Sequence, residues 1–348
     1  MLREKSTRSD VRGIVVPLAD LAGYLLSVCG VLYFESLIVK LLFSIAIIPT
    51  MLSRLQVLGH DLAHKTLARS GWIHESFGRL VMLPTFHNFS IWVYLHNKVH
   101  HLHTNVRDKD YVWAPLALAD YQALGCLRKW IYRVERSIWG PVLWLSTEHF
   151  LRRNFFPRAR LLGGKKRLIY TVDTFLVIFG AIGLGFLAVT LAQQIAAFTG
   201  RAAMSIPAIL LLVFVIPWIV FAWLFGWLVY IQHTSPDVPW YEKPVKLGFM
   251  EYQNSVTPAW NFPYWFNYIY HFIYVHNVHH QHMRVPSQML LSAQEEFVHF
   301  TGVKTKRFTV RDYLNSLRCC KLFDYQNHCW TDYEGNRTGP TLIWPNEN

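Results

Sequence analysis

Four apolar segments of this chain are each long enough to cross a lipid bilayer, and they constrain its fold more than any other feature. A transmembrane helix needs about 20 predominantly apolar residues. The segments occupy approximately residues 15–34, 37–58, 168–192 and 206–231. A tight turn at Glu35-Ser36 joins the first two, and a short stretch at 193–205 joins the last two. The pattern therefore predicts an all-α integral membrane protein whose four transmembrane helices form two hairpins.

The composition of the chain is typical of a membrane protein. Of its 348 residues, 52% are hydrophobic and only 16% are charged, against about 25% charged in soluble domains. Phe, Trp and Tyr make up 16% of the chain, as expected where rings lie at a membrane–water boundary. The formal net charge of +12 suits anionic lipid head groups or an acidic protein partner. Nucleic acid is not an expected partner, because the positive residues lie in loops that flank the apolar segments.

The distribution of Lys and Arg predicts the orientation of the chain in the membrane. The segment between the hairpins, 60–167, is rich in both, including Arg152-Arg153 and Lys165-Lys166-Arg167, whereas the other connections carry almost no positive charge apart from Arg201. Cytosolic loops carry the excess of positive charge, so we expect both termini and this segment in the cytosol. We therefore predict a single domain over 1–348, with a cytosolic helical cap made of 60–167 and 232–348.

Histidines occur in three short clusters that lie beyond the ends of the apolar segments. Within each cluster, a spacing of three or four residues places two imidazoles on one face of a helix. The first cluster follows the second apolar segment, the second lies in the cytosolic segment, and the third follows the fourth apolar segment. All three are therefore expected on one side of the membrane. The clusters contain His60 and His64; His96, His100 and His101; and His276, His279 and His280.

These histidines predict a site for two metal ions. Neutral imidazole is a good ligand for iron, zinc and copper, but one structural zinc ion needs only four ligands. His233 adds a ninth imidazole, because it emerges from the fourth apolar segment on the same side. Eight or nine nitrogens exceed the needs of one metal, and iron is favoured because an all-nitrogen pair of zinc ions has no obvious use. The alternative is a set of unrelated, solvated histidines.

The order and spacing of the clusters resemble the three histidine boxes of the membrane fatty acid desaturase superfamily. The stretch 96–105, HNKVHHLHTN, resembles the family's HNxxHHxxTN form. The stretch 232–239, QHTSPDVP, resembles the QHTxPxxP form of its Δ12 (omega-6) acyl-lipid branch, with Trp240 where that branch usually has His. The resemblance covers approximately residues 40–300 and is closest to the bacterial Δ12-type enzymes.

The resemblance implies a di-iron centre in the cytosolic cap with nine histidine ligands: His60, His64, His96, His100, His101, His233, His276, His279 and His280. Ligating imidazoles usually donate their second N–H to a carboxylate or carbonyl, and the nearest carboxylates in sequence are Asp61, Asp108, Asp110 and Asp237. No catalytic side chain is expected beyond the ligands, and neither His103 nor His282 is expected to bind metal. The other histidines are expected at the membrane interface or in solvent: His74, His87, His149, His271, His299 and His328.

The resemblance also implies oxygen-dependent desaturation of a fatty acyl chain, with O2 as co-substrate and irons that change between Fe2+ and Fe3+. The chain has no HPGG haem motif and no flavin or nicotinamide fingerprint. Two electrons per turnover are therefore expected from an external donor, such as a ferredoxin or cytochrome b5. The acyl group could be carried by lipid, coenzyme A or acyl carrier protein.

Other functions are compatible with parts of this pattern. An acetylenase, a hydroxylase or a carotenoid ketolase would use the same scaffold and the same metal ligands. A metal or solute transporter is the alternative from another class. Transporters place ionisable residues near the bilayer midplane on broken helices, whereas these histidines lie beyond the ends of the apolar segments. Their placement favours an enzyme.

Overall fold

The computed structural model describes residues 8–155, 162, 168–301 and 303–342. The basic cluster Lys165-Lys166-Arg167, which contributed to the predicted orientation, lies outside these residues. In chain order the helices are α1 (Asp10–Tyr33), α2 (Leu37–Ala63), α3 (Gly71–Met82), α4 (89–103), α5 (Leu118–Gln122), α6 (Cys126–Glu135), α7 (140–155), α8 (Leu168–Thr199), α9 (Ile206–His233), α10 (Phe249–Val256), α11 (Tyr264–Ile269), α12 (His276–Gln281), α13 (Leu290–Thr301) and α14 (Val310–Cys319).

Two small sheets accompany the helices, and the all-α prediction did not include them. Strand β1 (Trp260–Asn261) pairs in parallel with β2 (Lys306–Arg307). Strand β3 (Leu322–Asp324) pairs antiparallel with β4 (Cys329–Thr331). Each strand has only two or three residues, so the sheets fasten loops together and the architecture remains helical.

Four helices, α1, α2, α8 and α9, are long and apolar enough to cross a membrane. They contain 24, 27, 32 and 28 residues, and each overlaps one predicted apolar segment, so the prediction of four long apolar helices is confirmed. A hydrocarbon core requires only about 20 helical residues. Helices α2 and α9 are therefore long enough to carry His60 and His233, in their last turns, beyond that core.

Close contacts fix α9 beside α2 and α7. Helix α2 contains a π-helical turn at Phe43–Ile47, where Ser44 donates its hydroxyl hydrogen to the carbonyl oxygen of Leu212 in α9 at 2.6 Å. On another face of α9, Gly226 lies so close to the carbonyl of Pro141 in α7 that a Cβ atom would overlap it. Small residues allow such close approach of apolar helices. These contacts hold α2 and α9 together near their amino ends and place the carboxyl half of α9 against α7.

A partly buried ion pair connects α1 and α2 to the segment that precedes α12. Arg54 of α2 donates to a carboxylate oxygen of Asp20 in α1 at 2.8 Å and to the carbonyl oxygen of Ile269 at 2.8 Å. The other Asp20 oxygen lies 2.6 Å from Nε2 of His271. These contacts hold residues 269–271 against the membrane helices, and so position the chain that enters α12 at His276.

The segments that follow α4 and α9 are joined by backbone hydrogen bonds. The amide of Arg107 donates to the carbonyl of Tyr241 at 2.9 Å, and the amide of Tyr241 donates to the carbonyl of Asn105 at 2.9 Å. Trp240, between these segments and the β3–β4 sheet, is completely buried. It packs in a small apolar core with Phe323 and Trp330. The histidine-bearing ends of α4 and α9 are thus fixed relative to each other.

Candidate metal centre

The structure brings all nine predicted ligands together, in two groups where α2, α4, α9 and α12 meet. Within each group, the candidate nitrogen atoms all lie within 4.8 Å of one another. The first metal group consists of His60, His64, His96, His101 and His279, and the second metal group consists of His100, His233, His276 and His280. The second and third histidine clusters each supply candidate ligands to both groups, and the spacing of the second cluster did not predict its division.

The distances within each group fit a transition-metal ion. In the first group, the Nε2 atoms of His60 and His279 are 3.0 Å apart, and those of His96 and His101 are also 3.0 Å apart. Two nitrogens at about 2.1 Å from one metal and roughly at right angles would be about 3.0 Å apart. Neutral imidazole lone pairs that face each other at this distance repel unless a cation or a proton lies between them. The donor set therefore fits a bound metal.

The second group shows the same signs of a metal site. The Nε2 atoms of His233 and His276 are 3.0 Å apart. Nε2 of His280 is buried and has no hydrogen-bond partner among the described residues, and the same is true of Nε2 of His64 in the first group. Unpaired buried polar atoms cost about 1–3 kcal/mol each. A metal ion in each group would satisfy them.

A π-helical stretch in α4 explains how one cluster serves both groups. Helix α4 is α-helical over Phe89–Tyr94 and becomes π-helical over Leu95–His100, where hydrogen bonds run from residue i+5 to residue i. The amide of His101 accordingly donates to the carbonyl of His96. The sequence predicted that His96 and His100, four residues apart, share a face. In the structure His96 pairs with His101, five residues on, and His100 joins the other group.

The remaining clusters follow the regular α-helical spacing. His60 and His64, four residues apart at the end of α2, both belong to the first group. In α12, His276 and His280 are also four residues apart and both belong to the second group, while His279 lies on the adjacent face and belongs to the first. A regular helix presents residues i and i+4 on the same side, which accounts for this division.

Two of the four predicted aspartates orient metal-facing imidazoles. Nδ1 of His60 lies 3.2 Å from a carboxylate oxygen of Asp61, whose other oxygen accepts the amide hydrogen of Ser287 at 2.9 Å. Nδ1 of His100 lies 3.1 Å from Asp110. When Nδ1–H donates to a carboxylate, Nε2 keeps its lone pair for the metal.

The other two predicted aspartates lie elsewhere, and the structure corrects that part of the prediction. Asp108 and Asp237 are exposed, and among the described residues neither carboxylate contacts any of the nine imidazoles. Asp108 is in a left-handed turn, with φ of 60°. Asp237 lies in a turn in which its backbone amide donates to the hydroxyl oxygen of Ser235 at 3.5 Å. Both turns direct the carboxylates into solvent in spite of their proximity in sequence.

Gln253 and Trp92 also contact the candidate ligands, and the sequence analysis did not identify them. Oε1 of Gln253 lies 3.0 Å from Nδ1 of His280, and its amide nitrogen donates to the carbonyl of His101 at 3.2 Å. Trp92 stacks on His96 with ring centroids 4.3 Å apart. Gln253 belongs to α10, outside every histidine cluster, so no local motif marks it.

Burial favours the neutral form of six of the candidate ligands, which is the form that binds metal. Burial, followed by the proximity of the other imidazoles, lowers the pKa of each of these six histidines well below the usual range. They are His64, His96, His101, His276, His279 and His280. These six imidazoles can therefore bind a cation near neutral pH without first losing a proton.

The other histidines lie outside both groups, but three of them are not where the sequence predicted. His103 and His282 are partly buried, and neither belongs to a metal group. His74, His87 and His149 are buried, not interfacial or solvent-facing. A ring nitrogen of His74 lies 3.0 Å from the carbonyl of Ala68, and His87 and His149 pack 5.3 Å apart, centroid to centroid. Tertiary packing, which the local pattern does not show, accounts for their burial.

A narrow apolar cavity of about 50 Å³ adjoins both groups. His60 and His96 of the first group and His100, His233 and His276 of the second line one part of it. Most of the remaining wall is apolar and is formed by Val57, Trp92, Val112, Trp144, Phe225, Leu228, Val229 and Ile273. A hydrocarbon chain in this cavity would lie against imidazoles of both groups.

Comparisons with known proteins agree with this arrangement. The sequence pattern of the fatty acid desaturase family matches residues 36–303. An sn-1 oleoyl-lipid 12-desaturase of Arthrospira platensis is 29% identical over 248 residues, which is 68% of this chain and 62% of that protein. A Synechocystis protein of the same name is 28% identical over 253 residues, 69% of this chain and 63% of that protein. A chloroplastic omega-6 fatty acid desaturase of Brassica napus is 26% identical over 287 residues, 78% of this chain and 57% of that protein. The match thus spans less than two thirds of each of these relatives.

Proposed function

The chain belongs to the fatty acid desaturase family, and on that premise we propose that it desaturates a fatty acyl chain at a histidine-ligated di-iron centre. In this reaction two neighbouring methylenes lose one hydrogen each and become a double bond. The two hydrogens, two electrons and two protons reduce O2 to two molecules of water. The observation that carries the proposal is the pair of histidine groups beside a single apolar cavity.

The proposed irons would be held by the five nitrogens of the first metal group and the four of the second. When bound, they would supply the oxidising power for an unactivated C–H bond, which side chains alone lack. Asp61 and Asp110 would fix the orientation of His60 and His100, because their carboxylates accept the Nδ1 hydrogens. These two imidazoles would then need little rearrangement on binding metal.

The apolar cavity is the proposed binding site of the reacting methylenes of the acyl chain, because its volume of about 50 Å³ is far smaller than a whole oleoyl chain. Its walls are mainly aromatic and aliphatic, and they exclude water from the region next to the imidazoles. Because His60 and His96 line it together with His100, His233 and His276, a bound chain would present one C–C bond to both groups. The relatives are named for oleoyl-lipid and omega-6 activity. We therefore propose a lipid-borne oleoyl chain as the first substrate to test.

The proposed topology has two helical hairpins, α1–α2 and α8–α9, with both termini and the metal centre at the cytosolic face. The short connections between the paired helices and the bias of positive charge support it. The rest of the chain, 60–167 and 232–348, would form one cytosolic cap in a single domain. An external one-electron carrier, such as a ferredoxin or cytochrome b5, would then reach the centre from the cytosol.

Expression in a host that lacks acyl desaturation tests the activity. We expect a new double bond in membrane lipids, located by mass spectrometry, and about two irons per chain in the purified protein. His96→Ala should abolish the product and lower the iron content. A triple bond, a hydroxyl group or an oxidised carotenoid in place of the alkene would reassign the reaction. Less than one iron per chain after reconstitution would contradict the di-iron centre.

A further inference from the structure

A second opening reaches the metal centre, separate from the apolar cavity. It is a cleft of about 950 Å³ that His64 of the first metal group lines. Residues beside each of the three histidine clusters line the same cleft: Lys65, Lys98 and Arg284. The cleft and the apolar cavity share no lining residue among those described. The candidate metal centre therefore adjoins both an apolar cavity and a cleft lined by charged side chains.

Three of the positive side chains that line this cleft have no ion-pair partner among the described residues. Lys65, Lys98 and Arg284 are exposed, and none of them forms an ion pair within the part of the chain that the structure describes. Arg79 also lines the cleft, but it is neutralised by Asp173 at 2.7 Å and Glu75 at 2.9 Å. Arg8 adds a further cation to the lining. The rim near His64 thus presents at least three unpaired cations, which attract an acidic surface.

The first metal group is partly accessible from this cleft. Of the nine imidazoles, His64 and His96 are only partly buried, and the other seven are buried. His64 is the one that lines the cleft, so a protein seated there would contact a candidate metal ligand directly. A lipid head group would gain nothing from proximity to that ligand, whereas an electron donor benefits from it because electron transfer becomes slower with distance.

We propose that this cleft, lined by Lys65, Lys98, Arg284 and His64, is the docking surface for an acidic one-electron carrier protein. The proposal rests on the proposed function, which consumes two electrons per double bond. Two reduced carriers would each be oxidised by one electron in every turnover. Those electrons, with two protons and two substrate hydrogens, reduce O2 to two waters. Electrons would enter through the cleft while the acyl chain occupies the apolar cavity.

Charge reversal with a matched control tests the docking surface. The probe is an acidic [2Fe–2S] ferredoxin, added to protein reconstituted in bilayer discs of neutral lipid. Lys65→Glu and Arg284→Glu should each weaken ferredoxin binding and raise its KM about tenfold, because like charges oppose docking. Lys304→Glu reverses an exposed cation outside the cleft and should change neither value by more than about twofold. Added salt should weaken binding of the unmodified protein most.

Further measurements distinguish loss of docking from loss of the metal centre or of the fold. Bound iron and the dithionite-driven rate report whether each variant retains its centre, and Lys65→Gln and Arg284→Gln provide milder changes if a reversed charge prevents folding. Unaltered ferredoxin affinity in the charge-reversal variants would overturn the proposal. A charge-reversal variant that binds ferredoxin normally but no longer binds anionic lipid would also overturn the proposal, and it would assign the cleft to lipid head groups. If the unmodified protein forms no product with either reductant, the proposed function fails, while the binding comparison still decides the docking surface.

Discussion

At the residue scale, three of the candidate ligands, His60, His100 and His280, are held by a contact of their second ring nitrogen. The carboxylate of Asp110 illustrates this, because it lies 3.1 Å from Nδ1 of His100 and also accepts the amide hydrogens of Asn105 and Val112 at 2.9 and 3.1 Å. A carboxylate with three such partners is held rigidly. The imidazole that donates to it is therefore held in the orientation that directs Nε2 into the second metal group.

Asp110→Asn should weaken the second iron site while Asp108→Asn should not. An amide lacks the negative charge and one of the two acceptor oxygens, and loss of such a partner typically costs about 10–100-fold in metal affinity or activity. Asp108 is exposed two residues earlier in the same segment, so it is a matched control. Bound iron and product, measured on both variants, decide the question. Equal effects at the two positions would show that Asp110 has no particular role.

His233→Ala should abolish activity as completely as His100→Ala, although it lies outside the three clusters. Its Nε2 is 3.0 Å from that of His276, and both belong to the second metal group. His103→Ala is the comparison, because His103 belongs to neither group and its loss should preserve most iron and activity. Iron content and product yield should be measured together. Turnover in a folded, iron-loaded His233→Ala protein would remove this residue from the ligand set.

At the scale of elements, buried polar contacts hold the histidine-bearing segments in place. The ion pair of Asp20 in α1 with Arg54 in α2 also engages Ile269 and His271, just before α12. The pair of Glu35 with Arg201 is instead exposed. The Arg54 side chain is 19% exposed, so breaking the first pair should cost less than the about 3–5 kcal/mol of a fully buried pair and more than the about 0–1 kcal/mol that an exposed pair contributes. Only the first pair can control the position of α12.

Asp20→Asn should therefore destabilise the protein strongly, and Glu35→Gln should not. We expect Asp20→Asn to lower the thermal unfolding midpoint in detergent by several degrees and to reduce bound iron, because residues 269–271 lose their anchor ahead of His276. Glu35→Gln should leave both quantities near those of the unmodified protein. Similar midpoints for the two variants would mean that the buried contact does not position α12.

The histidine-bearing elements also show what the sequence could and could not predict. The spacing of His276 and His280 predicted a shared face, because an α-helix repeats locally. The pairing of His96 with His101 depends on the π-helical hydrogen bonds of α4, which the cluster itself does not reveal. Gln253 reaches His280 across 27 residues of chain, and only the tertiary fold brings them together. Likewise, Asp108 and Asp110 look equivalent until the turn between them is known.

At the scale of the whole molecule, the chain has a polar side that carries the metal centre and an apolar side formed by four long helices. The apolar segments and their order were predictable from composition, because about 20 apolar residues in a row have few alternatives to a membrane helix. The burial of His87 and His149 was not predictable, because it depends on rings from distant helices, such as Phe221 and Phe225 of α9.

Thiol labelling in intact cells should test the proposed orientation. Cys126 is exposed in α6, between α4 and α8, so a membrane-impermeant maleimide should label it only after permeabilisation. A cysteine at exposed Ala202, in the connection between α8 and α9, should be labelled without permeabilisation. Cys126→Ser provides the background for the second measurement. Labelling of Cys126 in intact cells, with protection of Ala202→Cys, would invert the topology.

The division of α4 and α12 between the two metal groups should make loading of the proposed irons cooperative. Each of these helices supplies ligands to both groups, so the first ion to bind already orders much of the site for the second. The entropy of ordering the shared helices is then lost once instead of twice. Partial iron supply should consequently produce a mixture of empty and doubly occupied chains, with few that hold a single ion. Iron limitation would reduce the number of competent molecules without creating a large pool of half-assembled ones.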